Sequence, residues 1–166
     1  MTRTNNTKHG YAILELLFYI SFFTIISLVV IEAMITMTRS FKETSIQAEW
    51  RRGEDIMERI SREIRTAYDI NSIGSGNLKL NTKDNDGENI TIQFLLSGSD
   101  IQFFEDEILV GNLNTPNMLL SGLTFTQINT TKGKAVKIFF TVESASDTLN
   151  RTQDFYNTIV LRGNYQ

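Results

Sequence analysis

Apolar residues run almost without interruption from Tyr11 to Met37, and no charged residue interrupts Leu16–Ile31. That stretch exceeds the roughly 20 apolar residues a helix needs to cross a bilayer. Beyond Arg39 the pattern becomes periodic. Ile46, Trp50, Gly53, Met57, Ile60, Ile64 and Ala67 recur every three or four positions, with arginines and acids between them. This is the period of an amphipathic helix with one buried face. No proline precedes Pro116, and Gly53 is the only glycine between Gly10 and Gly74. The two patterns therefore predict one helix over 11–68, on the order of 85 Å long at 1.5 Å per residue.

After Asp69 the period falls to two. NSIGSGN reads as a loop, followed by strands over 78–80, 90–96, 101–104, 107–110, 123–128, 135–142 and 155–162. The connectors DNDGEN, SGSD, EDE, TTKGK and SASDTLN carry turn residues, so the strands should be antiparallel neighbours. Ile92, Phe94, Ile138 and Phe140 would line the face that meets the helix stripe. The predicted class is α+β: a long N-terminal helix whose second half packs against one antiparallel sheet. The expected organisation is a segment 1–10, a membrane helix 11–37, and a soluble domain 38–166. Within that domain the helix runs over 38–68 and the sheet over 76–163.

Composition narrows the chemistry. The 166 residues include no cysteine and one histidine, His9, in the polar start of the chain. Disulfides, thiol catalysis and histidine-based triads or metal sites in the folded part are excluded. A net charge of −3 gives no basic footprint for nucleic acid. RRGEDIMERISREIR alternates arginines with acids and reads as a solvated helix face. Lys132, Lys134, Lys137 and Arg162 read as edge protection. Asp84, Asp86 and Glu88 supply alternating oxygens that calcium would use, but the full loop spacing is incomplete and Asp-Gly between strands also makes a hairpin turn. The sequence thus points away from an enzyme.

Glu15 is the outlier. A carboxylate inside hydrocarbon costs a few kcal/mol even on lenient insertion scales and calls for a partner. Arg3 and Lys8 lie before it, which predicts a cytoplasmic N-terminus. An ordinary cleaved secretory signal would have a shorter apolar core and a small-residue site after it, whereas here the small residue, Gly10, precedes the core.

KHG followed by YAILELL resembles the prepilin signature: a short basic leader ending in glycine, an aromatic residue, three apolar or small residues, glutamate, and a membrane helix. RRGEDIMERISREIRTA is similar to minor pseudopilins of the J type and their Gram-positive minor-pilin relatives. Tyr11 stands where that family usually has phenylalanine, and Ala12 where threonine or serine is common. The chain also lacks the mid-helix proline of many major pilins and carries Glu32 nearby, a departure that points to a minor subunit. On hydropathy, Glu32 itself reads first as the outer membrane boundary.

The resemblance implies that a prepilin peptidase cleaves between Gly10 and Tyr11 and that the new amine of Tyr11 is N-methylated. It further implies that Glu15 pairs with the terminal amine of a neighbouring pilin or pseudopilin subunit. The implied partners are those subunits, an assembly-platform membrane protein and the cytoplasmic membrane. The chain would reside there as a single-pass protein with its C-terminal domain outside, then pass into an extracellular or periplasmic filament. Type II secretion, adhesion or twitching pili and competence DNA uptake all remain open. The alternative is a surface receptor or binding module held by an uncleaved signal anchor. No resident cofactor is expected, with calcium at the Asp84 loop the one exception considered.

Overall fold

The computed structural model describes residues 8–84, 86–130 and 133–162. Its elements are α1 (Lys8–Thr66), β1 (Asp69–Gly74), β2 (Asn77–Lys83), β3 (Asn89–Ser97), β4 (Asp100–Glu105), β5 (Ile108–Asn112), β6 (Met118–Thr130), β7 (Gly133–Ser144) and β8 (Thr152–Val160). Met1–Glu43 and Thr44–Gln166 form two compact units, and α1 contributes residues to both. The class is α+β, a long N-terminal helix packed against antiparallel sheets.

In the second unit the helix buries Ile46, Glu49, Gly53, Ile56, Met57, Ile60, Ser61 and Ile64. These positions follow a period near 3.6, so they form one stripe. The last turn ends against the strands. Thr66 Oγ1 donates to the carbonyls of Arg62 and Glu63 at 3.3 and 3.1 Å, and the Arg162 amide donates to the Arg65 carbonyl at 3.1 Å. The Arg65 carbonyl, one of those left without a partner at a helix end, is thereby satisfied. The Tyr68 amide then donates to the Asn81 carbonyl at 3.0 Å, which starts the first strand pair.

Two expectations are corrected. NSIGSGN is not a loop: Asp69–Gly74 is β1, paired with β2 from Asp69↔Asn81 to Gly74↔Asn77. Its Asp69, Asn71 and Gly74 hide it from a propensity reading, yet an edge strand needs only ladder hydrogen bonds and partial cover. The strands also make two sheets rather than one, β1-β2-β3-β4-β5 and β6-β7-β8. A Ser75↔Thr124 bridge brings β1 and β6 side by side at the junction. The buried helix stripe runs from Ile46 to Ile64, and strands twist relative to their neighbours, so two short twisted sheets cover it better than one long flat one. Ile92 and Phe94 lie on the first sheet, Ile138 and Phe140 on the second. All four are buried in one core with Ile56, Met57, Ile60 and Ile64.

Alternation along the strands sorts side chains into that core. Leu78 and Leu80 face it from β2, Ile101 and Phe103 from β4, and Val136 and Val142 from β7. Register lines up Leu78 with Phe94 and Phe94 with Phe103, whose rings lie 5.4 Å apart. Asn114 fixes the crossing from the first sheet to the second. Its side-chain amide donates to Asp100 Oδ1 at 2.7 Å and to the Met118 carbonyl at 2.9 Å, while its Oδ1 accepts the Ile101 amide at 3.1 Å.

Candidate functional site

The first unit holds the longest apolar surface of the chain. Every side chain from Tyr11 to Lys42 is exposed except Ser27, which is half-buried. An 18-residue apolar window of α1 is long enough to cross a membrane, and none of it is buried by the rest of the protein. Aromatic rings cluster at its start, with Phe18 and Phe22 stacked 6.4 Å apart one turn from each other. Thr24 Oγ1 donates to the Ile20 carbonyl at 2.8 Å and Thr38 Oγ1 to Met34 at 2.9 Å, so these hydroxyls add little polarity to the surface. A helix apolar on all sides is covered by lipid or by other helices. The segment is thus compatible with a membrane anchor.

Glu15 projects from this surface. Tyr19 Oη donates to Glu15 Oε1 at 3.0 Å, one helical turn on. One phenol gives the carboxylate one neutral hydrogen bond, and an ionised carboxylate has capacity for about four. Sequence reasoning singled out Glu15 but not Tyr19; the i, i+4 spacing was the available signal. Lys8, His9 and Gly10 have helical backbone, while residues 1–7 lie outside the described residues. Tyr11 is exposed at the start of the apolar run.

The remaining candidates separate from this helix. Asp84 Oδ1 accepts the amides of Asp86 and Glu88, both at 2.9 Å, and the Gly87 amide returns to the Asp84 carbonyl at 3.2 Å. The Asp84 carboxylate therefore organises the β2–β3 turn, and Gly87 at φ +85° permits it. Asn85 of this loop lies outside the described residues. Among the described residues no three histidine, cysteine, aspartate or glutamate side chains gather as a metal-binding group. Lys134 is tied to Asp69 at 2.6 Å, and this hydrogen bond holds the Asp69 carboxyl below its ordinary range. Lys132 lies outside the described residues.

Three features escaped the sequence reading. Glu49, only 6% exposed, has one carboxylate oxygen buried without a hydrogen-bond partner, as is Trp50 Nε1 beside it. Asp147 is also buried and stitches the β7–β8 loop. Its oxygens accept the Leu149 amide at 3.0 Å, the Arg151 amide at 3.2 Å and Arg151 Nε at 2.7 Å. The Arg151 guanidinium lies 5.6 Å from the Trp50 ring centre, linking loop to helix. Third, Arg59 stacks 4.6 Å over the Phe103 ring, between two open clefts of mixed charge. One cleft is lined by Arg52, Asp55, Ile56, Arg59, Asn112 and Leu113.

Comparison with protein-family models, with curated proteins and with solved structures gives no match for this chain.

Proposed function

We propose that the protein is a minor pilin or pseudopilin: a non-enzymatic subunit stored in the cytoplasmic membrane by its N-terminal helix and drawn from there into a filament. The observation that carries this reading is the uncovered apolar segment of α1 with an acid, Glu15, near its start. An unpaired carboxylate there is costly in lipid. Packing among other helices of the same kind gives it an opposite charge, and the cost of a buried charge falls when it is paired and hydrogen-bonded. Cleavage after Gly10 would create that charge as the α-amine of Tyr11 on a neighbouring subunit. The Tyr19 hydroxyl would hold the carboxylate in place meanwhile.

The Glu15–Tyr19 contact also favours a second reading, a receptor or binding module on an uncleaved anchor, since the phenol partly satisfies the acid without any neighbour. Mass spectrometry of the protein from its native membrane separates the two. The filament reading expects an N-terminal, methylated Tyr11, and an intact Met1 rejects it. Glu15→Gln should leave cleavage and insertion near normal. It should lower cross-linking to filament subunits strongly, because an amine left buried without its partner costs about 3–5 kcal/mol.

A further inference from the structure

Glu49 is a buried acid that the filament reading does not use. It lies on the inward stripe of α1 between Ile46 and Gly53, and one of its carboxylate oxygens is buried without a hydrogen-bond partner. The indole nitrogen of the next residue, Trp50 Nε1, is buried without an acceptor as well. Each such atom gives up its hydrogen bonds to water on folding and gains none in return, a larger loss for a charged group than for a neutral one.

The side chains around these two atoms give little apolar compensation. Ile46, at 1% exposure, is buried apart from the continuous core, whose buried members from α1 are Ile56, Met57, Ile60, Ile64 and Ala67 just past its end. Trp50 is half-buried and meets that core only at its margin. The other cover on its ring is a charged group, the Arg151 guanidinium at 5.6 Å, which Asp147 Oδ2 holds through Arg151 Nε at 2.7 Å. Gly53 follows, and glycine is the poorest helix former after proline. Residues 44–52 are thus held through a polar, incompletely satisfied contact, and residues 56–64 through an apolar one.

Segments with few buried apolar contacts open at lower free energy than the core does. We infer that this stretch is a breakaway joint: residues 44–52 and the β7–β8 loop part from each other while residues 56–64 stay on the sheets. Opening returns the Glu49 carboxylate and the Trp50 N–H to water, which offsets the lost burial of Ile46. Tension along α1 is relieved at the joint before it reaches the core. The joint needs only the folded second unit, so it stands or falls separately from the filament reading.

The cysteine-free sequence allows a direct test by labelling full-length protein in detergent micelles with a water-soluble maleimide under native conditions. Ile46→Cys lies in the joint and Ile60→Cys in the core, and both positions are fully buried. Ile46→Cys should label at least about tenfold faster, because local opening reaches it whereas Ile60→Cys waits for global unfolding. Adding Glu49→Leu removes the unpaired acid and should slow labelling of Ile46→Cys about tenfold. Glu49→Gln keeps the shape without the charge and should slow it in the same direction, which separates the effect of the acid from the packing of a leucine. Trp50, the only tryptophan, should become less accessible to acrylamide in the same two variants. Equal labelling at positions 46 and 60 overturns the joint. So does Ile46→Cys labelling, or Trp50 quenching, that neither Glu49 variant slows.

Discussion

Gly53 shows how one residue sets the distance between helix and sheet. A Cβ built there would lie 2.7 Å from Phe155 Cε2 and Cζ and 3.2 Å from Val142 Cγ2. Glycine within a helix costs about 0.5–1 kcal/mol relative to alanine, so its presence reflects this close approach. The Phe155 ring stacks on Phe140 at 5.3 Å but is itself only half-buried, so its tip has some room to retreat. Gly53→Ala should therefore be close to neutral, since the helix gain offsets the crowding. Gly53→Leu should destabilise by about 1–3 kcal/mol, the usual cost of overpacking. Urea unfolding of the two variants checks this, and the Leu penalty should shrink when Phe155 is also replaced by alanine. A Leu variant as stable as the parent would mean the helix does not approach the sheet here. The sequence showed Gly53 on the apolar stripe; it could not show which ring lay opposite.

At the level of elements, the β7–β8 connection depends on Asp147. Its hydrogen bond from Arg151 is the main reason its carboxyl is held below the ordinary range, with the Leu149 and Arg151 amides adding to the effect and burial opposing it. A carboxylate whose folded value is depressed contributes stability above its unfolded value of about 3.9, and loses it as the pH falls through the lower folded value. Acid unfolding of the wild type should therefore include a component below about pH 4 that Asp147→Asn lacks. Asp147→Ala should destabilise the protein at neutral pH and raise protease cleavage in the 145–151 loop first. Unchanged acid unfolding in Asp147→Asn would remove Asp147 from this role. SASDTLN reads as turn residues, and all but Ser144, the last residue of β7, lie in the β7–β8 connection. Asp147's partners are local, but the Arg151 guanidinium it holds also lies over the Trp50 ring of the helix, a contact between distant segments that no local pattern displays.

For the whole molecule, the two compact units divide between Glu43 and Thr44. The second carries its own core, with Ile56, Met57, Ile60 and Ile64 of α1 among the buried side chains. A chain beginning at Thr44 should fold and unfold cooperatively in water. One beginning at Asp69 should aggregate, because losing those four side chains exposes a contiguous apolar face. Equal solubility and equal cooperativity of the two would show that the helix stripe is dispensable. The sequence alone determined the long helix, its change from an uninterrupted apolar run to an amphipathic stripe, the strands from β2 to β8 and the Gly10–Glu15 pattern. Each of these rests on local periodicity or on spacing between near neighbours, which a linear chain displays directly. Only the tertiary structure decided that Asp69–Gly74 is a strand and that the strands split into two sheets. It alone buried Glu49 and Asp147 and left Ile108–Val110 bare at an edge. Those outcomes depend on which distant segment arrives alongside, and strand pairing and burial are properties of that arrival rather than of any residue's own preference.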